Sequence, residues 1–235
     1  MLMPLKAISA ILSYPTPDLQ AASDELIAAL GQGNLLPADA VAAFEPLLKE
    51  IAQGDIYEVQ ETYVALFDRS RTLSLNLFEH VHGESRDRGP AMVDLLETYR
   101  AGGFELESSE LPDHLPILLE FASTRPVAEA KELLNDAGTI MAALAERLLR
   151  RESSYAAILA GLVEFAGIEI TSPEVQELLS VKDDDPEDLK ALDDIWEEAE
   201  VTFGPDPNAG CPISRDMLAN MEITPAEAQV AQLSE

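Results

Sequence analysis

His80, His82 and Glu84 alternate along the chain, and three such ligands could converge on a divalent metal if the backbone there were extended. The same histidines, or His114, could also serve an acid–base reaction beside a neighbouring carboxylate. Two of the three histidines lie in residues 67–89, together with four of the ten arginines: Arg69, Arg71, Arg86 and Arg88. Such a local store of cations in an acidic chain requires a stabilising cause. One is structural: these cations pair with Glu79, Glu84 and Asp87 and brace a long connection between helices. Exposed pairs contribute little each, but a partly buried network can fix a loop. Another is contact with a partner, with Arg69, Arg71, His82, Glu84, Arg86 and Arg88 as the groups concerned. Against a metal, side chains two apart on a helix diverge, and no fourth ligand is evident. Against catalysis, the chain has no GxSxG elbow, no phosphate-cradling glycine loop and no dinucleotide fingerprint.

A second constellation is Glu110-Leu111-Pro112-Asp113-His114-Leu115-Pro116, continuing to Leu119, Glu120 and Phe121. Asp113 and Glu120 stand among apolar residues at a helix start, where an acid complements the helix dipole. One reading is a capped core helix with a satisfied His114. The other is an apolar groove edged by acids, suited to a basic amphipathic peptide.

The elements that must position these groups read as helices. Apolar residues recur at helical spacing almost throughout, and sustained alternation is absent. Thr16-Pro17 opens a helix to about Leu30, ended by Gly31. Pro37 opens a second, with Val41, Phe44, Leu48 and Ile51 on one face. Asp55 caps a third, whose stripe is Ile56, Val59, Tyr63, Leu66 and Phe67. Pro90 starts another, stopped by Gly102-Gly103, and Pro116 must lie in the first turn of the next or distort it. After Pro126 comes the longest, from Leu133 to Leu148, followed by one around Tyr155, Ile158 and Leu162. The expectation is an all-α fold, a single bundle of about seven or eight helices over residues 1–170. Residues 171–235 read as an acidic extension of short helices and disorder, with Trp196 as an anchor and Cys211 as an unpaired thiol.

Charge is the unusual global property, with 44 acidic against 15 basic residues and a net of −29. Residues 171–235 alone carry 17 acidic and 3 basic residues. This surface disfavours nucleic acid and anionic lipid and attracts cationic partners. No apolar run is long enough to span a membrane, the start lacks a secretory pattern, and a single cysteine excludes an internal disulfide. The cytoplasm is the compartment these features favour.

Three stretches together resemble a known family: Tyr63-Val64-Ala65-Leu66-Phe67-Asp68, the string from Leu77 to Gly89, and Glu110 to Phe121. They resemble the nitrate reductase molybdenum-cofactor assembly chaperones, the NarJ/NarW family within the wider TorD/DmsD-like superfamily. The dense match covers roughly residues 59–121, with Pro90 standing where a polar residue is expected. The resemblance implies a non-enzymatic cytoplasmic protein with no tightly held cofactor. It implies binding of the N-terminal segment of the nitrate reductase catalytic subunit while its cofactor is inserted, before membrane attachment, and contact with molybdenum cofactor biosynthesis proteins. On that basis Tyr63, Phe67, Leu115, Leu119 and Phe121 are expected as groove walls. Asp68, Asp113 and Glu120 are expected as cation receivers, with His80 and His114 making affinity depend on pH. The rivals are a leader-peptide chaperone for a dimethyl sulfoxide or trimethylamine oxide reductase, a small metal-dependent hydrolase, and a nonspecific acidic adaptor.

Overall fold

Thr16 and Asp55 act where the sequence places them, accepting hydrogen bonds from the Leu19 and Tyr57 amides at helix starts. The computed structural model describes residues 1–82 and 85–183; expectations for Glu84, Trp196, Cys211 and the rest of residues 184–235 lie outside the described residues. Within them the chain is all-α, and its only β pairing is an isolated bridge between Asn76 and His114. No helix among the described residues is long and apolar enough to cross a membrane.

The helices are α1 Met3–Ile11, α2 Pro17–Ala21, α3 Ser23–Leu30, α4 Ala38–Ala43, α5 Glu45–Gln53 and α6 Ile56–Tyr63. They continue as α7 Leu77–His82, α8 Arg88–Ala101, α9 Leu115–Ser123, α10 Val127–Asp136, α11 Gly138–Arg150, α12 Tyr155–Ala166 and α13 Pro173–Ser180. Several expected helices are each divided in two. The stretch after Pro17 breaks at Ala22, and the one after Pro37 ends at Phe44. Pro46 explains the second break, because it lacks an amide proton and clashes with a continuing helix. The long stretch after Pro126 breaks at Ala137, immediately before Gly138. Pro116, by contrast, sits in the first turn of α9, where the missing N–H has no helical partner to lose.

Two helix pairings carry the core: α1 against α9, and α11 against α12. Leu5, Ile8, Ile11, Leu12, Leu115 and Leu119 about the first pairing, and Met141, Leu144, Leu148, Ile158, Leu159 and Leu162 about the second, are all fully buried in one apolar cluster. Each such side chain contributes about 1.5–3 kcal/mol of transfer free energy. Gly161 lets α12 approach Phe44: a Cβ there would stand 2.6 Å from the Phe44 ring. Gly167 ends α12 in the left-handed conformation, φ 73°, that glycine tolerates without penalty. Helix α13, expected in the extension, is part of the packed body, with Val175 fully buried.

Candidate functional site

The two chemical constellations are stitched together by backbone. Leu115 N–H donates to Leu75 C=O at 2.8 Å, and Leu77 N–H donates to Asp113 C=O at 3.1 Å. Asp113 Oδ2 accepts from the Phe78 amide at 2.9 Å, so a residue 35 positions away completes the first turn of α7. Asp113 is fully buried, and burial pushes its carboxyl above the usual aspartate range. The Phe78 hydrogen bond and the Arg88 charge act the other way. His80 Nε2 lies 2.8 Å from Ser74 C=O, an arrangement in which the ring donates its proton. His82 stacks edge-on against Phe78 at 5.5 Å, so the two histidines do not converge. No cluster of three metal-ligating side chains occurs among the described residues. Arg88 pairs with Glu79 at 3.2 Å. Arg69, Arg71 and Arg86 are exposed.

The expected groove walls are placed differently. Tyr63, Phe67, Leu115, Leu119 and Phe121 are each 4% exposed or less. Tyr63 donates its hydroxyl to Leu12 C=O at 2.9 Å and joins Phe67 and Tyr155 in an aromatic cluster. Phe121 packs on Tyr99 and Phe104. These are core residues because the helical stripe that makes them look like a groove is the stripe that closes α6 and α9 onto the body. Asp113 is likewise a buried helix cap, not a surface receiver of cations. Asp68 is exposed; partial burial raises its carboxyl pKa, with the nearby Glu110 charge adding to the rise.

An open cleft does lie beside them. It occupies ≈ 530 Å³ between α1, the segment 104–110 and the start of α9. Tyr14, Phe104, Leu106, Pro116 and Ile117 supply its apolar surface, and Glu105, Glu107, Glu110 and Glu120 its carboxylates. His114 and Glu120, two of the expected site residues, line it. Lys6 already pairs with Glu120, which leaves Glu105, Glu107 and Glu110 as the exposed acids. The Nδ1 atom of His114 is buried without a hydrogen-bond partner. The segment 104–107 was missed as a site because it lies between two helices. Its signal was present nonetheless: Phe104-Glu105-Leu106-Glu107 alternates, with the apolar residues half-buried and the acids outward.

This geometry is an apolar floor under an acidic rim. The model of the family described as nitrate reductase delta subunit matches residues 20–160. The chain belongs to this family. It is 43% identical over 208 residues to the nitrate reductase molybdenum cofactor assembly chaperone NarJ of Escherichia coli K12, covering 88% of this chain and 87% of that one. It is 37% identical over 207 residues to the probable assembly chaperone NarW of the same strain, covering 88% and 86%. A solved chain from Archaeoglobus fulgidus, described as a candidate redox enzyme maturation protein, superposes with a TM-score of 0.51 at 25% identity. That match covers 71% of this chain and 94% of that one.

In this delta-subunit family member His80 and His114 are expected to make stability depend on pH. Burial pulls both His80 and His114 below the ordinary histidine value; the Ser74 hydrogen bond opposes this at His80, and Glu110 opposes it at His114. A folded-state pKa below the unfolded one gives stability that is complete above about pH 6.5 and lost as pH falls through the folded value. The urea midpoint is therefore expected to fall between pH 7.5 and 5.5, and to fall less in H114Q. Equal slopes for the two proteins would remove His114 from the account. Asp68 and Asp113, with raised pKa values, act oppositely: their contribution grows as pH drops toward and below the usual aspartate value.

Proposed function

We propose that this protein is a chaperone for assembly of a nitrate reductase, acting while the molybdenum cofactor is inserted. In this reading it is a binding protein and not an enzyme, and its client is the catalytic subunit. The observation that carries the reading is the cleft over Phe104, Leu106 and Ile117, rimmed by Glu105, Glu107 and Glu110. A basic amphipathic helix would bury its apolar stripe on that floor and set its Lys and Arg side chains against the rim. The family membership and the chaperone names of the relatives support the same reading.

The finer elements belong to the proposal too. The bound segment is the N-terminal one of the catalytic subunit, the complex forms in the cytoplasm, and it delays membrane attachment until assembly is complete. Proteins of molybdenum cofactor biosynthesis are further partners. Calorimetric titration with the N-terminal peptide of the cognate catalytic subunit tests this. Saturable binding by that peptide, and none by a scrambled peptide of equal charge, is expected near pH 7 at moderate salt. Equal heats from both peptides would reduce the cleft to nonspecific charge attraction. Alanine at Tyr63 or Asp113 is a poor probe, because both are buried and the variant would report folding.

A further inference from the structure

Between α8 and α9 the chain runs through residues 102–114 without a helix, and Phe104, Glu105, Leu106 and Glu107 border two cavities at once. One is the ≈ 530 Å³ cleft above. The other, ≈ 300 Å³, lies on the α8 side, against Leu96, Tyr99 and Arg100. This stretch is therefore the partition between them. Its two ends are pinned to one residue. Gly103, at φ 73°, ends α8 in the left-handed turn that brings the Phe104 amide to Tyr99 C=O at 2.9 Å. At the far end Pro112 C=O accepts the Tyr99 hydroxyl at 2.7 Å. Between the pins, residues 105–110 form no backbone–backbone hydrogen bond among the described residues. The Glu110 amide bonds within the stretch, to Ser108 Oγ at 3.1 Å. Glu105, Glu107, Ser108, Ser109 and Glu110 are exposed, so Leu106 is the side chain that packs this stretch on the core.

We infer that residues 105–110 form a strap that lifts between these pins, takes Leu106 out of its seat and joins the two cavities into one groove. The occupant is the basic amphipathic segment of the client, so the inference rests on the proposed function and adds how that site is entered. A stretch without backbone pairing, held by one half-buried aliphatic side chain, stands at the low end of local stability. Its three carboxylates repel one another, which favours the lifted, more extended form. The pins belong to the body. Tyr99 is fully buried and Phe104 packs on it and on Phe121, so the motion is confined to six residues. Once the segment is seated, the strap returns over it and sets Glu105, Glu107 and Glu110 against its cations.

Methyl relaxation dispersion on the full, client-free chain labelled at Leu, Ile and Val reads the motion in the microsecond-to-millisecond range. Leu106, Leu96 and Ile117 are expected to exchange at one shared rate, with a lifted form of roughly 1%. Leu144 and Leu159, in the core between α11 and α12, should show no exchange. L106A is expected to raise the lifted population about tenfold, read at Leu96 and Ile117. Stopped-flow association of the N-terminal peptide of the cognate catalytic subunit should accelerate by the same factor, because only the lifted form admits it. No exchange at Leu106, or unrelated rates at the three methyls, would overturn the inference. So would an association rate in L106A equal to or below that of the wild type, which would make Leu106 a fixed part of the floor. Exchange as expected with no peptide binding is a different failure: it strikes the proposed function, and the role of the strap with it.

Discussion

Replacing Arg147 with methionine is expected to lower stability by about 3 kcal/mol, a fall in melting temperature of roughly 6–12 °C for a protein of this size. Arg147 is 2% exposed, on the inner face of α11. It donates to Thr72 C=O at 2.9 Å and to Leu178 C=O at 2.6 Å, and it pairs with Asp183 at 2.8 Å. One guanidinium thus ties the segment before α7 to the end of α13. Methionine restores much of the volume, so the packing loss is small. What remains is the loss of partners for buried carbonyls, a cost that apolar bulk does not offset. Lysine should fall between the two, since it keeps the charge and loses the planar fork. Urea unfolding followed by circular dichroism measures this through the midpoint at constant slope. A midpoint for R147M within error of the wild type would mean that these bonds contribute nothing net.

Arg147 also shows where sequence reasoning stops. Glu146-Arg147-Leu148 reads like any last turn of a surface helix, and nothing local separates Arg147 from Arg150. Its burial is set by Thr72 and Leu178, which reach it from distant parts of the chain. The helices themselves were legible because the apolar period is local, and so were the caps at Thr16 and Asp55. Breaks at Ala22 and Ala137 were not, since the apolar stripe runs on across them. At the site, His114 and Glu120 line a cleft, and the apolar stretch that carries them, with Glu110 before it, is visible in one run of sequence. Between a groove acid and a capped core helix the sequence cannot choose for Asp113, because its partner, the Phe78 amide, is 35 residues away. Tyr63, Phe67, Leu115 and Phe121 were read as walls for the same reason: apolar periodicity says which face is covered, never by what.

The cleft is tested most sharply through its charge. Exchanging Glu105, Glu107 and Glu110 together for glutamine is expected to weaken binding of the catalytic-subunit peptide tenfold or more. Each exposed pair is worth little alone, but three on one rim act on the same helix and their effects accumulate. Stability should hold or rise, because the three side chains are exposed and their removal relieves repulsion in a chain of net charge −29. The Asp68 pKa should move back toward the ordinary range, since Glu110 is part of what raises it. Salt then separates attraction from fit. Raising ionic strength shortens the Debye length to about 3 Å at 1 M, so it should weaken wild-type binding strongly and the triple variant only slightly. The residue of affinity that survives both treatments belongs to the apolar floor, and F104A should remove it. Wild-type affinity and an unchanged salt slope in the triple variant would place the client elsewhere on the protein. The cleft would then be an acidic surface without a receiving role.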